Sequence, residues 1–475
     1  MRRPRASIYG FWLIFWGSCG AAIGALAWRP PDRFWALWAL PFLWRFAADF
    51  PYDPARRGDS IVRPWWFQPQ ILSIFAYYTA AIAPAAWTLR AYWPALHPAT
   101  ATAIALTPPL LLSLPWLWAA RRGAPGCTSG ADCTGATGCT EADCRPAGVC
   151  PPSGVGCAGA TPRRPAASRR YAAAMALTAL PPLGAIGMAS PLFAAAPAFP
   201  GFGLAGILLT ATGLTALATG PRRLLLPAVP LLALLSLVAH VYAPARPRPP
   251  AQIHAISTRL GRSPTDLSSW LNRNLALRTL VRHTLHSTPS GSTLLFPEDA
   301  AGPWTRWSSV FWRTTAALAR ARGDTVLLGA TLADPHGGLL DALIGFGAHR
   351  VVTSARQPIP LGSWIPAGRR SYRADWSRFG PTTIAGRRVA VLVCYEQLLI
   401  WPAAWAFLSP HPPGLIIAVS NHGWATPGIR EPQIQANAAT ALARLFGVPE
   451  VSAANGPRPI ADAGSRKASD LHPEQ

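Results

Sequence analysis

Two side chains of the 475-residue sequence stand where a reaction could be run, Cys394 and Glu298. Cys394 closes the apolar run RRVAVLVC and is followed by Tyr395 and Glu396. A thiol at the end of a buried strand is held rigidly at the edge of a sheet. Such a sulfur attacks an ester or amide carbonyl when a base takes its proton and donors stabilise the oxyanion. Glu298 follows the run STLLF in the same manner. A carboxylate at a buried strand end has a raised pKa, which suits a general base. Each residue also has a plainer reading, the cysteine as a small core side chain and the glutamate as the start of an exposed loop. The histidines at 283, 286, 336, 349, 411 and 422 form no H-E-x-x-H motif, and no Walker or dinucleotide glycine pattern occurs. No metal and no cofactor are therefore expected.

These residues need a scaffold, and the sequence from about Arg246 supplies one. The Pro/Arg linker ARPRPP leads into short apolar runs alternating with amphipathic stretches. STLLFPE, TVLLGATL, HRVVTSA, RRVAVLVCYE, GLIIAVSN and PEVSAAN read as buried strands, and residues 303–322 and 431–447 as helices. Strands alternating with helices predict an α/β domain over 244–460, with a polar tail at 461–475.

The first half has a different texture. The chain is 50% hydrophobic and only 13% charged, where a soluble domain carries about 25% charged residues. Seven apolar stretches approach the roughly 20 residues that cross a bilayer: 7–28, 33–50, 70–88, 98–120, 171–196, 201–220 and 224–243. The second carries Arg45, and the fifth contains Pro181, Pro182 and Pro191. Residues 1–243 thus read as a transmembrane block. The arginine clusters at 2–5, 56–63, 121–170 and 222–223 all fall on one side of a seven-span block, which becomes the cytoplasmic side. The C-terminal domain is then periplasmic, in a bacterial inner membrane. The formal charge of +23 is carried by arginine but for one lysine, Lys467. It serves topology, and a nucleic-acid partner is not expected. Six cysteines, at 127, 133, 139, 144, 150 and 157, punctuate the loop 121–170 without a C-x-x-C pair or a histidine. That loop reads as a low-complexity insertion more readily than as a metal cluster.

The segments FPEDAAGPW, PIPLGSW, VLVCYE, IIAVSNHGWAT and PQIQANAATALARLFGVPEVSAANG occur in the order seen in the nitrilase, or carbon-nitrogen hydrolase, superfamily. With a multispan block before them, the chain resembles the membrane branch, apolipoprotein N-acyltransferase, and most of all the conjugal transfer TraB group. The resemblance implies an αββα sandwich and a Glu–Lys–Cys triad. It also implies an acyl thioester on the cysteine, with membrane phospholipid as donor and a lipoprotein or conjugation-apparatus protein as acceptor or partner. Carried over residue by residue, Glu298 matches the base, Cys394 the nucleophile and Glu396 the adjacent supporting carboxylate. Asn421 and Trp424 match the N-x-x-W segment, and Asn455 the later asparagine. The triad lysine should precede PIPLGSW by a few residues, and there Arg356 is the only nearby cation. A guanidinium there could stabilise an oxyanion but is never neutral. Ser363, Leu445 and Ser452 stand where the acyltransferase has Glu, Glu and Arg. The polar tail stands where it has a closing transmembrane helix. Two functions follow: thiol-dependent acyl transfer or amide hydrolysis, or a catalytically inactive membrane component of conjugal transfer or envelope assembly.

Overall fold

A computed structural model describes residues 5–28, 31–49, 68–120, 164–243, 247–366, 368 and 371–457. The Cys-rich loop up to residue 163 and the polar tail lie outside them. The N-terminal half is helical: α1 (Arg5–Ala27), a 3-10 turn (Pro31–Ala39), α2 (Leu40–Asp49), α3 (Pro69–Tyr92), α4 (Pro98–Ala120), α5 (Arg164–Ala179), the short α6 (Ala195–Ala198), α7 (Gly203–Thr219) and α8 (Arg222–Tyr242). By length and composition, α3, α4 and α8 could each cross a membrane. The fifth apolar stretch departs from expectation. It is no single helix but α5, which ends at Ala179, followed by short turns. Pro181, Pro182 and Pro191 lack the N–H groups that a continuing helix needs. The second stretch is likewise split, a 3-10 turn running into the ten residues of α2. Arg45 on α2 is spent structurally, donating to the carbonyls of Leu217 (3.0 Å) and Gly220 (2.8 Å) at the end of α7. A cation there satisfies terminal carbonyls and meets the negative end of the helix dipole.

The C-terminal half holds two sheets. In the first, β1 (Ile253–Ala255), β2 (Thr293–Leu295) and β3 (Thr325–Ala333) run parallel, and β4 (Leu339–Gly347) and β5 (Val351–Ser354) continue antiparallel. In the second, β6 (Thr382–Ile384) pairs antiparallel with β7 (Arg387–Val393), which runs parallel to β8 (Ile416–Asn421) and β9 (Glu450–Asn455). The helices are α9 (Leu267–Ser287), α10 (Arg306–Phe311), α11 (Arg313–Ala321), α12 (Ile400–Phe407) and α13 (Glu431–Phe446). All six strands expected from apolar runs are present. β1, β4 and β6 are additional, as are α9 and α12, and the helical stretch 303–322 is divided into α10 and α11.

Side-chain alternation sorts the core into layers. Leu295, Leu327 and Leu343 of the first sheet meet Val391, Ile417 and Val451 of the second between the sheets. The other face of the first sheet packs Leu294, Val326 and Ile344 on Leu277 and Val281 of α9 and Ala319 of α11. The other face of the second packs Leu392 and Ile416 with Trp401 of α12 and Leu442 of α13. The result is an αββα sandwich. The outer helical layer of the second sheet is continuous with the N-terminal helices. Tyr395 Oη donates to the carbonyl of Ala185 (3.1 Å), and Trp401 Nε1 donates to that of Gly184 (3.0 Å).

Candidate active site

The carboxyl ends of parallel strands from both sheets converge on one rim of the sandwich, as open α/β sheets present their ligands. β2 delivers Glu298, β7 Cys394, β8 Asn421 and β9 Asn455. Cys394 leaves its strand with φ +48°, a left-handed conformation that a non-glycine residue adopts only under constraint from its surroundings. The turn that enforces it is anchored by Glu396. This fully buried carboxylate accepts from the backbone N–H of Val393 (2.8 Å), Arg356 (2.5 Å) and Gln357 (3.2 Å). Glu396 therefore ties the cysteine turn to the segment after β5 and does not face the reacting groups.

Glu298 meets the thiol. Its carboxyl and the Cys394 thiol are close enough for each to perturb the other's ionisation, and its Oε2 accepts from the backbone N–H of Asn421 at 2.6 Å. Loss of water pushes the Glu298 carboxyl up to about 7, within reach of a general base at neutral pH. The thiol of Cys394 is pushed well above its ordinary range, first by burial and then by the negative charge of Glu298. The pair is then a thiol beside a carboxyl group that titrates near neutrality, an arrangement in which transfer of the thiol proton to Glu298 would make the sulfur nucleophilic.

Asn421, Trp424 and Asn455 form the wall behind the base. Asn455 Nδ2 donates to Asn421 Oδ1 (2.7 Å) and to Gly261 O (2.7 Å), and its Oδ1 accepts from Thr258 Oγ1 and Leu260 N. Trp424 Nε1 donates to Asn421 O (2.8 Å). Its ring lies edge-on to Tyr92 at the end of α3, with centroids 6.2 Å apart. Arg262 Nη2 also donates to Ala91 O (2.7 Å), so α3 is fastened beside the rim.

Arg356 is placed differently from expectation. Its guanidinium donates to Arg378 O (3.0 Å) and Gly380 O (2.9 Å), and only its backbone N–H reaches a site residue, Glu396. It holds the loop before β6 and does not stand in for a lysine at the thiol. The preceding residue, Ala355, places its side chain in the core between the sheets.

Two residues at the site had gone unnoticed in the sequence. Asp341 of β4 is close enough to Glu298 for the charge of Glu298, after burial, to push its carboxyl well above the usual range. It shares the inter-sheet face with Leu343, two residues on. An acid interrupting an apolar strand was the available signal, but LLDALIGFG does not read as a strand. Gln435 of α13 donates to Cys394 Sγ at 3.7 Å and is itself held by His422 Nε2, 2.7 Å from its Oε1. Its signal is the helical spacing Gln435, Ala438, Ala439, Leu442, all on the buried face. Among the described residues no group of three His, Cys, Asp or Glu side chains could hold a metal ion.

A probable conjugal transfer protein TraB from Sinorhizobium fredii is 33% identical over 287 residues, covering 58% of this chain and 69% of the relative. The chain belongs to the TraB family of conjugal transfer proteins. A second TraB protein, from Agrobacterium fabrum, is also 33% identical over 287 residues, 64% of its own length. No protein-family model matches the chain. Among solved structures, a carbon-nitrogen hydrolase from Helicobacter pylori G27 superposes with a TM-score of 0.32 at 12% identity, covering 42% of this chain and 72% of that one. A mutant of a nitrilase-superfamily amidase from Nesterenkonia AN1 gives 0.30 at 16% identity, covering 45% and 79%. The αββα assignment of this chain rests on its own strand order and core layers.

Proposed function

We propose that this TraB-family chain is a membrane-embedded thiol enzyme of the acyl-transfer or amide-hydrolysis class, acting in conjugal transfer. The observation that carries the reading is the meeting of Cys394, at a constrained turn, with Glu298, whose carboxyl titrates near neutrality. In the first half-reaction the Cys394 proton moves to Glu298, sulfur bonds to the acyl carbon, and the leaving group departs with that proton. In the second, an amine or water attacks the thioester, its proton passes by way of Glu298 to sulfur, and the thiol is restored. Gln435 steadies the sulfur, while Asn421 orients the base through its backbone N–H.

The membrane setting is part of the proposal. α8 carries Leu226, Val241 and Tyr242 more than two-thirds exposed, an apolar surface that suits lipid better than water. With α3 ending at the rim of the site, a membrane phospholipid is the natural acyl donor, and a lipoprotein or conjugation-apparatus protein the acceptor. The domain would then lie on the periplasmic side of the inner membrane.

One observation favours a second reading. The Arg356 guanidinium is turned away, so it is not the basic partner of Cys394 that the resemblance calls for. That suits an inactive scaffold in the transfer apparatus. Conjugation frequency separates the two: Cys394→Ala should lower transfer to the level of a deletion if the thiol works. Transfer that survives Cys394→Ala but not removal of the C-terminal domain would favour the scaffold.

A further inference from the structure

Where β8 ends, one residue serves the base and the next reaches toward the sulfur. Asn421 N donates to Glu298 Oε2 at 2.6 Å. His422 presents its ring Nε2 to Gln435 Oε1 at 2.7 Å, and Gln435 Nε2 lies 3.7 Å from Cys394 Sγ. Gln435 is 2% exposed and His422 8%, so both bonds are made away from bulk water.

The backbone fixes His422 before its ring is placed. Its N–H donates to Asn455 O at 2.7 Å, and its carbonyl accepts from Ala425 N at 2.9 Å. Gly423, next along, packs so closely on Gly261 that a Cβ would overlap the Gly261 carbonyl. Gln435 is held by α13, which buries Ala438, Ala439 and Leu442 on the same face.

The chemistry of the two side chains then selects one arrangement. An amide oxygen only accepts, so the His422 proton sits on Nε2. Burial pushes the His422 pKa below the ordinary histidine range, so the ring is neutral and has a single N–H to place. With Oε1 taken by His422, the Gln435 amide turns its NH2 group to the sulfur. The reverse orientation would offer the thiol an acceptor, in competition with Glu298 for its proton.

We propose that His422 is a positioning residue that locks the Gln435 amide with its N–H toward Cys394, so that Gln435 stabilises the charge arising on sulfur. This rests on the acyl-transfer reading and says how the nucleophile is supported while the Arg356 guanidinium is engaged elsewhere. As the thiol proton passes to Glu298, its bonding pair stays on sulfur, and the Gln435 N–H bond strengthens from neutral to charge-assisted. Support that grows with the charge lowers the barrier to attack. Burial and the charges of Glu298 and Asp341 oppose loss of the thiol proton, and the Gln435 hydrogen bond works against them.

The test follows alkylation of Cys394 by iodoacetamide in the full chain purified in detergent, read as peptide mass against time. In wild type the rate should rise as pH climbs through about 7, where Glu298 becomes able to take the proton. At pH 8, Gln435→Met should slow it about tenfold, the effect of losing one hydrogen bond to a forming charge. His422→Phe, which keeps a ring and removes the N–H, should slow it to the same extent. The double variant should be no slower than Gln435→Met alone, since His422 acts through the amide. His422→Gln carries an amide nitrogen the same number of bonds from the backbone as Nε2, and it should return the rate to within a few-fold of wild type. Circular dichroism checks each fold, and Gln435→Leu replaces Gln435→Met if that chain unfolds. A double variant slowed about a hundredfold would make the two residues independent and overturn the relay. A wild-type thiol that reacts no faster than that of Gln435→Met would overturn it as well. If the relay behaves as expected while no acyl group forms on Cys394, the relay stands and the acyl-transfer reading falls.

Discussion

In the proposed reaction Cys394 acts as a nucleophile only through its neighbours. Its burial and the adjacent carboxylates hold it protonated, so reactivity depends on proton transfer to Glu298 in the act of attack. Glu298→Gln removes the acceptor while keeping the shape. It should slow alkylation of Cys394 by about 10²–10⁴-fold and abolish the rise through pH 7, measured as peptide mass against time. The sign follows from the base: below about 7 Glu298 holds its own proton and cannot take another. Arg356 should behave in the opposite way. Its guanidinium secures the carbonyls of Arg378 and Gly380, so Arg356→Ala should cost about 1–3 kcal/mol in thermal or denaturant unfolding. The rate of Cys394 alkylation in that variant should stay within a few-fold of wild type. A loss of a hundredfold would return Arg356 to the site.

The elements work by close approach of backbones. Gly329 in β3 lies under the Glu298 turn, where an added Cβ would sit 2.3 Å from Pro297 O and 2.4 Å from Glu298 Cα. Gly329→Ala must therefore displace the base. It should depress Cys394 alkylation at least tenfold, and circular dichroism checks that the sandwich survives. At the other side of the site, α13 ends at Gly447 with φ +66°, a left-handed C-cap that lets the chain turn directly into β9 and bring Asn455 to the rim. How much of this was legible follows from the same elements. STLLF, RRVAVLVC and IIAVSN announce themselves because strands buried on both faces are continuous apolar runs, and so Glu298, Cys394 and Asn421 could be found. β4 could not, because Asp341, Gly345 and Gly347 break its pattern, and Asp341 went unseen with it. Arg356 misled because sequence proximity fixes the backbone but not the direction of a long side chain. Its N–H reaches the site while its guanidinium reaches the opposite loop. The division of the apolar half was signalled by Pro181, Pro182 and Pro191 only as a weakness, since proline is also tolerated within membrane helices.

The whole molecule joins this site to a helical block that is apolar on the outside. The contacts of Tyr395 and Trp401 with the turns after α5, and of Trp424 and Arg262 with the end of α3, tie the C-terminal domain to the helical block. If the helical block spans the inner membrane with its arginine-rich loops inside, the domain should be cleaved by protease added to spheroplasts and protected in inverted vesicles. The reverse pattern would contradict the periplasmic placement. The central claim is that Cys394 carries an acyl group, and the mass of its peptide tests this most directly. The protein is isolated in its native phospholipid, and the peptide is weighed before and after hydroxylamine. A fatty-acyl mass on Cys394 that hydroxylamine removes is the predicted result. A Cys394 thiol that stays unmodified in native lipid, and that also fails to form the adduct with added phospholipid, would contradict the account.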